Sequence, residues 1–282
     1  VFIHTTNRNV TDWPEMIDTT EQIDEKLHTE INRFTAMWKS IAEKFHCPII
    51  QNNFEMPLYR LLGSRDAWDI HGRTNFLTRL NEAFYAYARE NESFYIHDLN
   101  FVSADYGLKE WSNPLFWNMY KYAMCFEAIP SFAFSVSHII KSIFGKNKKA
   151  LALDLDNTLW GGVVGDDGVD GIEIGQETGV SQSYYEFQTY VKQLKSLGIV
   201  LTVCSKNDHE NAIAGLNHPE GALRPDDFVI IKANWENKDR NIAETAAELN
   251  ILPDSITQKR KVSGKNLSLI HISEPTRLRC IS

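Results

Sequence analysis

Lys148-Lys149-Ala150-Leu151-Ala152-Leu153-Asp154-Leu155-Asp156-Asn157-Thr158-Leu159-Trp160-Gly161-Gly162 is the stretch that decides the fold. A short apolar run bounded by charge reads as a buried parallel strand. It ends in two carboxylates one residue apart. Alternation along a strand puts Asp154 and Asp156 on one side and Leu155 on the other. Open α/β sheets bind their ligands at the carboxyl ends of such strands. Two like charges there repel each other, and a bound divalent cation would relieve the repulsion.

Downstream the pattern stays α/β. Glycines and acids from Gly161 to Gly175 read as a loop or hairpin, and a helix from about Ser181 to Leu197 buries Tyr184, Phe187, Val191 and Leu194. Gly198–Ser205 is a second buried strand ending in a hydroxyl. Phe228–Ile231 is a third, and a helix over Lys238–Leu249 follows. Upstream, Val1-Phe2-Ile3 looks like the end of a strand. From Thr20, Ile23, Leu27, Ile31, Phe34, Trp38, Ile41 and Phe45 recur at spacings of three and four, one apolar helix face. Strands at Pro48–Asn53 and Phe94–Asp98 flank a helix over Gly72–Arg89. An aromatic-rich segment (Leu108–Phe126) and a helix over Ser131–Phe144 follow, and Gly145–Lys149 reads as a linker. The expected organisation is two α/β domains, 1–146 and 147–255, followed by a tail.

The 282 residues are 43% hydrophobic and 23% charged, as in an ordinary globular chain. A net charge of −8 argues against nucleic acid or an anionic membrane as partner. No signal-like start or membrane-spanning apolar run is visible, which makes a cytoplasmic location the expectation. Cys47, Cys125, Cys204 and Cys280 form no CxxC pair, so reduced thiols are expected. The chain opens on Val1 inside an apolar run, as though it begins within a domain.

Asp154-Leu155-Asp156-Asn157-Thr158 resembles the DxDxT signature of the haloacid dehalogenase (HAD) superfamily, with Ser205 at the next strand end and Lys238 at a later helix start as its second and third signatures. The longer matches 154–168, Val203–Asp208 and Asn234–Lys238 resemble the FkbH-like family, subclass IIIC phosphatases. Asn52-Asn53-Phe54-Glu55 and Tyr106–Trp111 resemble that family's amino-terminal SGNH-hydrolase-like domain, with a departure at Asn113-Pro114, where the family often has an acid. The resemblance covers roughly residues 1–255. It implies a flavodoxin/SGNH-like domain followed by a HAD-like Rossmannoid sheet with a minimal cap.

That resemblance implies roles residue by residue. Asp154 is the nucleophile that forms an aspartyl-phosphate, and Asp156 the acid/base for leaving group and water. Ser205 donates to the phosphoryl group and Lys238 supplies positive charge. Mg²⁺ would be held by the Asp154 carboxylate and the Asp156 backbone carbonyl, among others. Thr158 and Asn207 are expected to bind substrate. Family members load a glyceryl unit from a phosphorylated three-carbon acid onto an acyl carrier protein, so a phosphorylated small molecule and a carrier protein are the implied partners. Cys204 is a candidate for the acyl thioester, or else a small buried strand residue, since alternation sends it away from Ser205. Short gaps between Asp154, Ser205 and Lys238 leave no room for a large cap, so the site is open. In the first half no GDS-like nucleophile is present; Asn52 or Asn53 matches the SGNH asparagine or caps a loop, and His97 reads as a structural histidine. No hydrolase activity is expected from that half.

The fourth HAD signature, an acidic pair on a later strand, is replaced by Ile256-Thr257-Gln258-Lys259-Arg260-Lys261. Leu267–Arg277 resembles the translation of a sequencing adaptor, and the sequence from about Ile256 reads as frame-shifted or unrelated. His271 and Cys280 then carry no meaning. Six of the basic residues and one acid lie in 256–282, leaving 23 basic and 36 acidic residues, net −13, in 1–255. The expectations are a sheet lacking one strand beside the site, weak Mg²⁺ affinity and poor catalysis in a chain whose parent is an enzyme. Two further readings stay open: a plain small-molecule HAD phosphatase, and a non-enzymatic phospho-receiver, which has no need of Asp156.

Overall fold

The structure, a computed structural model, describes residues 1–259. It divides into two compact units, Val1–Ile143 and one beginning at Phe144.

The first unit holds strands β1 (Phe2–Ile3), β2 (Ile49–Asn52) and β3 (Phe94–His97), parallel in the order β1-β2-β3. Helix α1 (Thr20–Phe45) joins the first two strands and α2 (Arg73–Glu90) the next. Thr19 and Gln22 start α1 with a reciprocal capping box, and His46 ends it in a left-handed turn at φ 47°. Ile23, Leu27, Phe34 and Trp38 of α1 interleave with Phe76, Leu77, Leu80 and Phe84 of α2. Burying each of these large side chains contributes roughly 1.5–3 kcal/mol. The predicted apolar face stops short of its last member: Phe45 sits at the helix end and is exposed, while Glu30 is buried by its bonds to Thr11 and Arg33. Helix α3 (Leu99–Tyr106) follows β3, the aromatic-rich segment breaks into α4 (Leu108–Trp111) and α5 (Pro114–Tyr120), and α6 (Ile129–Ile143) completes the unit.

The second unit is built on β4 (Ala150–Leu153), β5 (Val200–Ser205), β6 (Ile230–Ala233) and β7 (Ile256–Lys259), all parallel in the order β6-β5-β4-β7. Between them run α7 (Val164–Asp167), α8 (Gly179–Ser196), α9 (His209–Leu216) and α10 (Lys238–Glu248). The central strand is covered on both faces, as its uninterrupted apolar run requires. Leu151 and Leu153 face Phe187, Val191 and Leu194 of α8. Ala150 and Ala152 face Ala246 of α10, together with Cys204 and Ile256. Small residues on that face let α10 come close. Phe228, predicted to begin a strand, instead closes a short turn over Pro225–Asp227, so β6 starts two residues later.

Two expectations are corrected. The opening strand ends at Leu153, and Asp154 and Asp156 lie on the loop beyond it, not on the strand's alternating face. The sheet does not lose its fourth strand: Ile256–Lys259 pairs with Ala150–Leu153 in parallel register, Leu153 opposite Lys259. Strand pairing uses backbone groups, so it does not need the missing acids, and Ile256 supplies the one apolar contact that anchors it. The adaptor-like stretch Leu267–Arg277, His271 and Cys280 lie outside the described residues. Among the described residues no helix is long and apolar enough to cross a membrane.

Candidate active site

The carboxyl ends of β4 and β5 and the start of α10 converge on Asp154. Its Oδ1 accepts from the Ser205 hydroxyl at 2.8 Å and from its neighbour Leu155 N–H at 3.1 Å. Its Oδ2 accepts from Lys238 Nζ at 2.5 Å. The two side chains of that ion pair are 16% and 19% exposed, so the pair is sheltered but reachable from solvent. Lys238 is the first residue of α10, whose start is capped by the Asn237 side chain. Asn234 fixes the approach: its N–H donates to Ser205 O and its side chain exchanges hydrogen bonds with Asn241. The helix is thereby tied to the end of β5, and the lysine is delivered to the carboxylate.

Asp156 is held by a different set. A left-handed Asn157 (φ 53°) turns the chain, and the Trp160 indole and the Val164 amide both donate to Asp156 Oδ1, at 3.0 and 3.1 Å. Asn207 Nδ2 donates to Oδ2 at 3.0 Å. Burial pushes the Asp156 carboxyl up, against these hydrogen bonds and aided by the charge of Asp154. A carboxyl raised in this way, beside one paired with a cation, is the arrangement that separates an acid/base from a nucleophile.

Of the predicted site residues, Asp154, Asp156, Ser205 and Lys238 are brought together. Asn207 belongs to the site as the residue that positions Asp156. Thr158, expected to bind substrate, is fully buried in the turn, and its N–H donates to Leu155 O. Cys204 is buried. The strand runs on through Ser205, so Cys204 packs among alanines at 1% exposure with its thiol toward the Lys238 carbonyl, as the buried-residue alternative expects. Trp160 and Val164 were not anticipated. The signal for the tryptophan is its position four residues after Asp156 in a turn.

The donor set for Mg²⁺ falls short. Among the described residues no group of three His, Cys, Asp or Glu side chains is arranged to hold a metal. β7 comes directly beside Asp154, whose N–H donates to Lys259 O at 3.2 Å, yet that strand carries Gln258 and Lys259 rather than the anionic oxygens that Mg²⁺ takes. Residues 1–259 thus do not fit a complete magnesium site.

In the first unit, Asn52 and Asn53 are structural. Asn52 Oδ1 and Nδ2 close on the backbone of Thr5, and Asn53 bonds Tyr85, Asp98 and the Asn100 amide. His97 is fully buried against Phe2, His4 and Phe132, and burial lowers it to about 4.

A parallel sheet with a carboxylate, a hydroxyl and a lysine gathered at its strand ends, and a second carboxylate two residues on, is a HAD-type phosphatase fold. The chain is similar to the solved N-terminal part of the protein BF1531 from Bacteroides fragilis, which contains a phosphatase domain and was crystallised with Mg. The TM-score is 0.78 and the identity 32%, over 86% of this chain and 64% of that one. The chain thus spans less than two thirds of its neighbour's length. No family model and no curated protein sequence matches it.

Proposed function

We propose that the chain carries the phosphoryl-transfer machinery of an FkbH-like phosphatase, with Asp154 as nucleophile. The observation that carries this reading is the clamp on Asp154, one oxygen on Ser205 and the other on Lys238. Those are the two donors a bound phosphoryl group takes over, a hydroxyl and a cation aimed at the charge that spreads over its oxygens. An Asp154 oxygen forms a bond to phosphorus as the bond to the leaving oxygen breaks, and Asp156 gives that oxygen its proton. Asp156, now a carboxylate, takes a proton from the water that attacks the phosphoenzyme, which frees phosphate and restores both acids. By the resemblance, the substrate is a phosphorylated three-carbon acid and the partner an acyl carrier protein.

The test uses acetyl phosphate and p-nitrophenyl phosphate on the full chain, with intact-mass detection of a phosphoenzyme. Asp154→Asn abolishes phosphorylation. Asp156→Asn slows turnover by about 10²–10⁴ and lets the phosphoenzyme accumulate from the activated donor. A phosphorylated adduct that persists just as long with Asp156 intact points instead to a phospho-receiver. The burial of Cys204 favours a plain phosphatase over transfer through that thiol. Acyl loading of a carrier protein in the presence of the phosphorylated acid separates the two.

A further inference from the structure

The first unit contains a cavity of about 200 Å³ that the phosphatase reading does not use. It opens where ligand sites form in parallel sheets, beyond the carboxyl ends of β1 and β2. Asn7 and Arg8 reach it from the loop after β1, Glu55 from the loop after β2, and Arg73 from the first position of α2. Trp13 and Trp111 form apolar walls.

Three features of this cavity point the same way. Neither Arg8 nor Arg73 forms a salt bridge with a carboxylate among the described residues, although the Arg8 charge acts weakly on Glu55. Each guanidinium instead lies over an indole, Arg8 on Trp117 at 5.0 Å and Arg73 on Trp13 at 4.9 Å. A stacked guanidinium keeps its planar edge of N–H donors available, the geometry that engages carboxylate or phosphate two bonds at a time. The third feature is Glu55, a buried carboxyl in the wall whose two oxygens share the Asn7 amide at 3.3 Å. Burial pushes it up to about 7, with the hydrogen bonds and the Arg8 charge pulling weakly the other way. Below that pH Glu55 is neutral, so it neither cancels the two arginines nor repels an anion, and its proton is a further donor.

We infer that this cavity is a binding site for a small organic anion whose carboxylate or phosphate lies between Arg8 and Arg73 and whose apolar part rests against Trp13 and Trp111. The volume lies below the usual range of ligand pockets and restricts the ligand to one about the size of benzoate. The site is separate in residues from the Asp154 cluster, and its function does not depend on phosphoryl transfer.

Isothermal titration of the full chain at pH 6 with benzoate, benzyl alcohol and inorganic phosphate tests it. Benzoate binds, and benzyl alcohol of the same shape binds at least about tenfold more weakly. Arg8→Gln and Arg73→Gln each weaken benzoate about tenfold or more, Arg73→Lys recovers part of the loss, and Lys238→Ala leaves benzoate binding unchanged. Both arginines are exposed, so the variants keep the parent's unfolding midpoint, which is measured alongside. Competition of phosphate with benzoate assigns both head groups to the site, and lack of competition restricts it to carboxylates. Equal binding of benzyl alcohol, retention of benzoate affinity in the Arg8→Gln/Arg73→Gln double variant, or no benzoate binding at all overturns the inference.

Discussion

Asp156 shows how far a role can be read from one residue and its neighbours. The family resemblance of the two-carboxylate motif implies an acid/base role, but its donors come from Trp160 and Val164, after a left-handed turn at Asn157, and from Asn207 beyond β5. A sequence pattern shows such a turn only as a loop, so it does not reveal that the tryptophan reaches the carboxyl. The Trp160 bond holds the carboxyl down against burial. Trp160→Phe removes it, so the Asp156 carboxyl rises further. The limb of the kcat/KM–pH profile that reports its ionisation moves to higher pH, and an unmoved limb contradicts the assignment. Cys204 makes the opposite point. It is adjacent in sequence to Ser205 and lies on the far side of the strand, in the alanine-lined cluster under α10. Cys204→Ala costs about 1 kcal/mol of stability by chemical denaturation and leaves phosphatase turnover unchanged.

Among the elements, β7 was the hardest to read. Its charge pattern departs from the acidic pair expected there, which suggested that no strand formed. The strand forms regardless, because its ladder with β4 is made of backbone bonds and Ile256 reaches the core. Strand and acidic pair are therefore separable properties. Gln258 and Lys259 are the β7 residues beside the Asp154 loop. Replacing them with aspartates adds anionic oxygen next to that loop and strengthens Mg²⁺ binding, read by calorimetric titration, together with Mg²⁺-dependent turnover of p-nitrophenyl phosphate. The same activation constant in both chains overturns this. The longer elements were legible because a single physical signal set each one. For α1 this was an unbroken apolar stripe behind a capping box, and for β4 and β5 apolar runs between charges. The cavity of the first unit was not legible, since Arg8, Glu55 and Arg73 come from three separate elements and share no motif.

At the scale of the whole molecule, the first unit carries two buried groups with opposite linkage to pH. His97 is lowered to about 4, so the stability it confers is full above its unfolded value of 6.5 and is lost as pH falls toward 4. Glu55 is raised to about 7, so the folded state holds a proton that the unfolded state has released above 4.5, and stability is lost as pH rises from 4.5 to 7. Each shift corresponds to roughly 3 kcal/mol, and the two offset each other through the overlap. Relative to the parent, urea unfolding of His97→Phe shows stability falling with pH across this range, and Glu55→Gln shows it rising. Parallel profiles in all three chains refute the assignment.

The pairing of Asp154 N–H with Lys259 O has a temporal side. On the ribosome, β4, β5 and β6 emerge before β7, and domains fold as their chain becomes available. The loop bearing Asp154 therefore acquires this backbone bond only when residue 259 has been synthesised, about a hundred residues after Asp154 itself. A nascent chain presents the DxDxT residues well before this bond can form, so emergence of β7, rather than of the motif, marks the moment at which the loop can be tied to the sheet's edge.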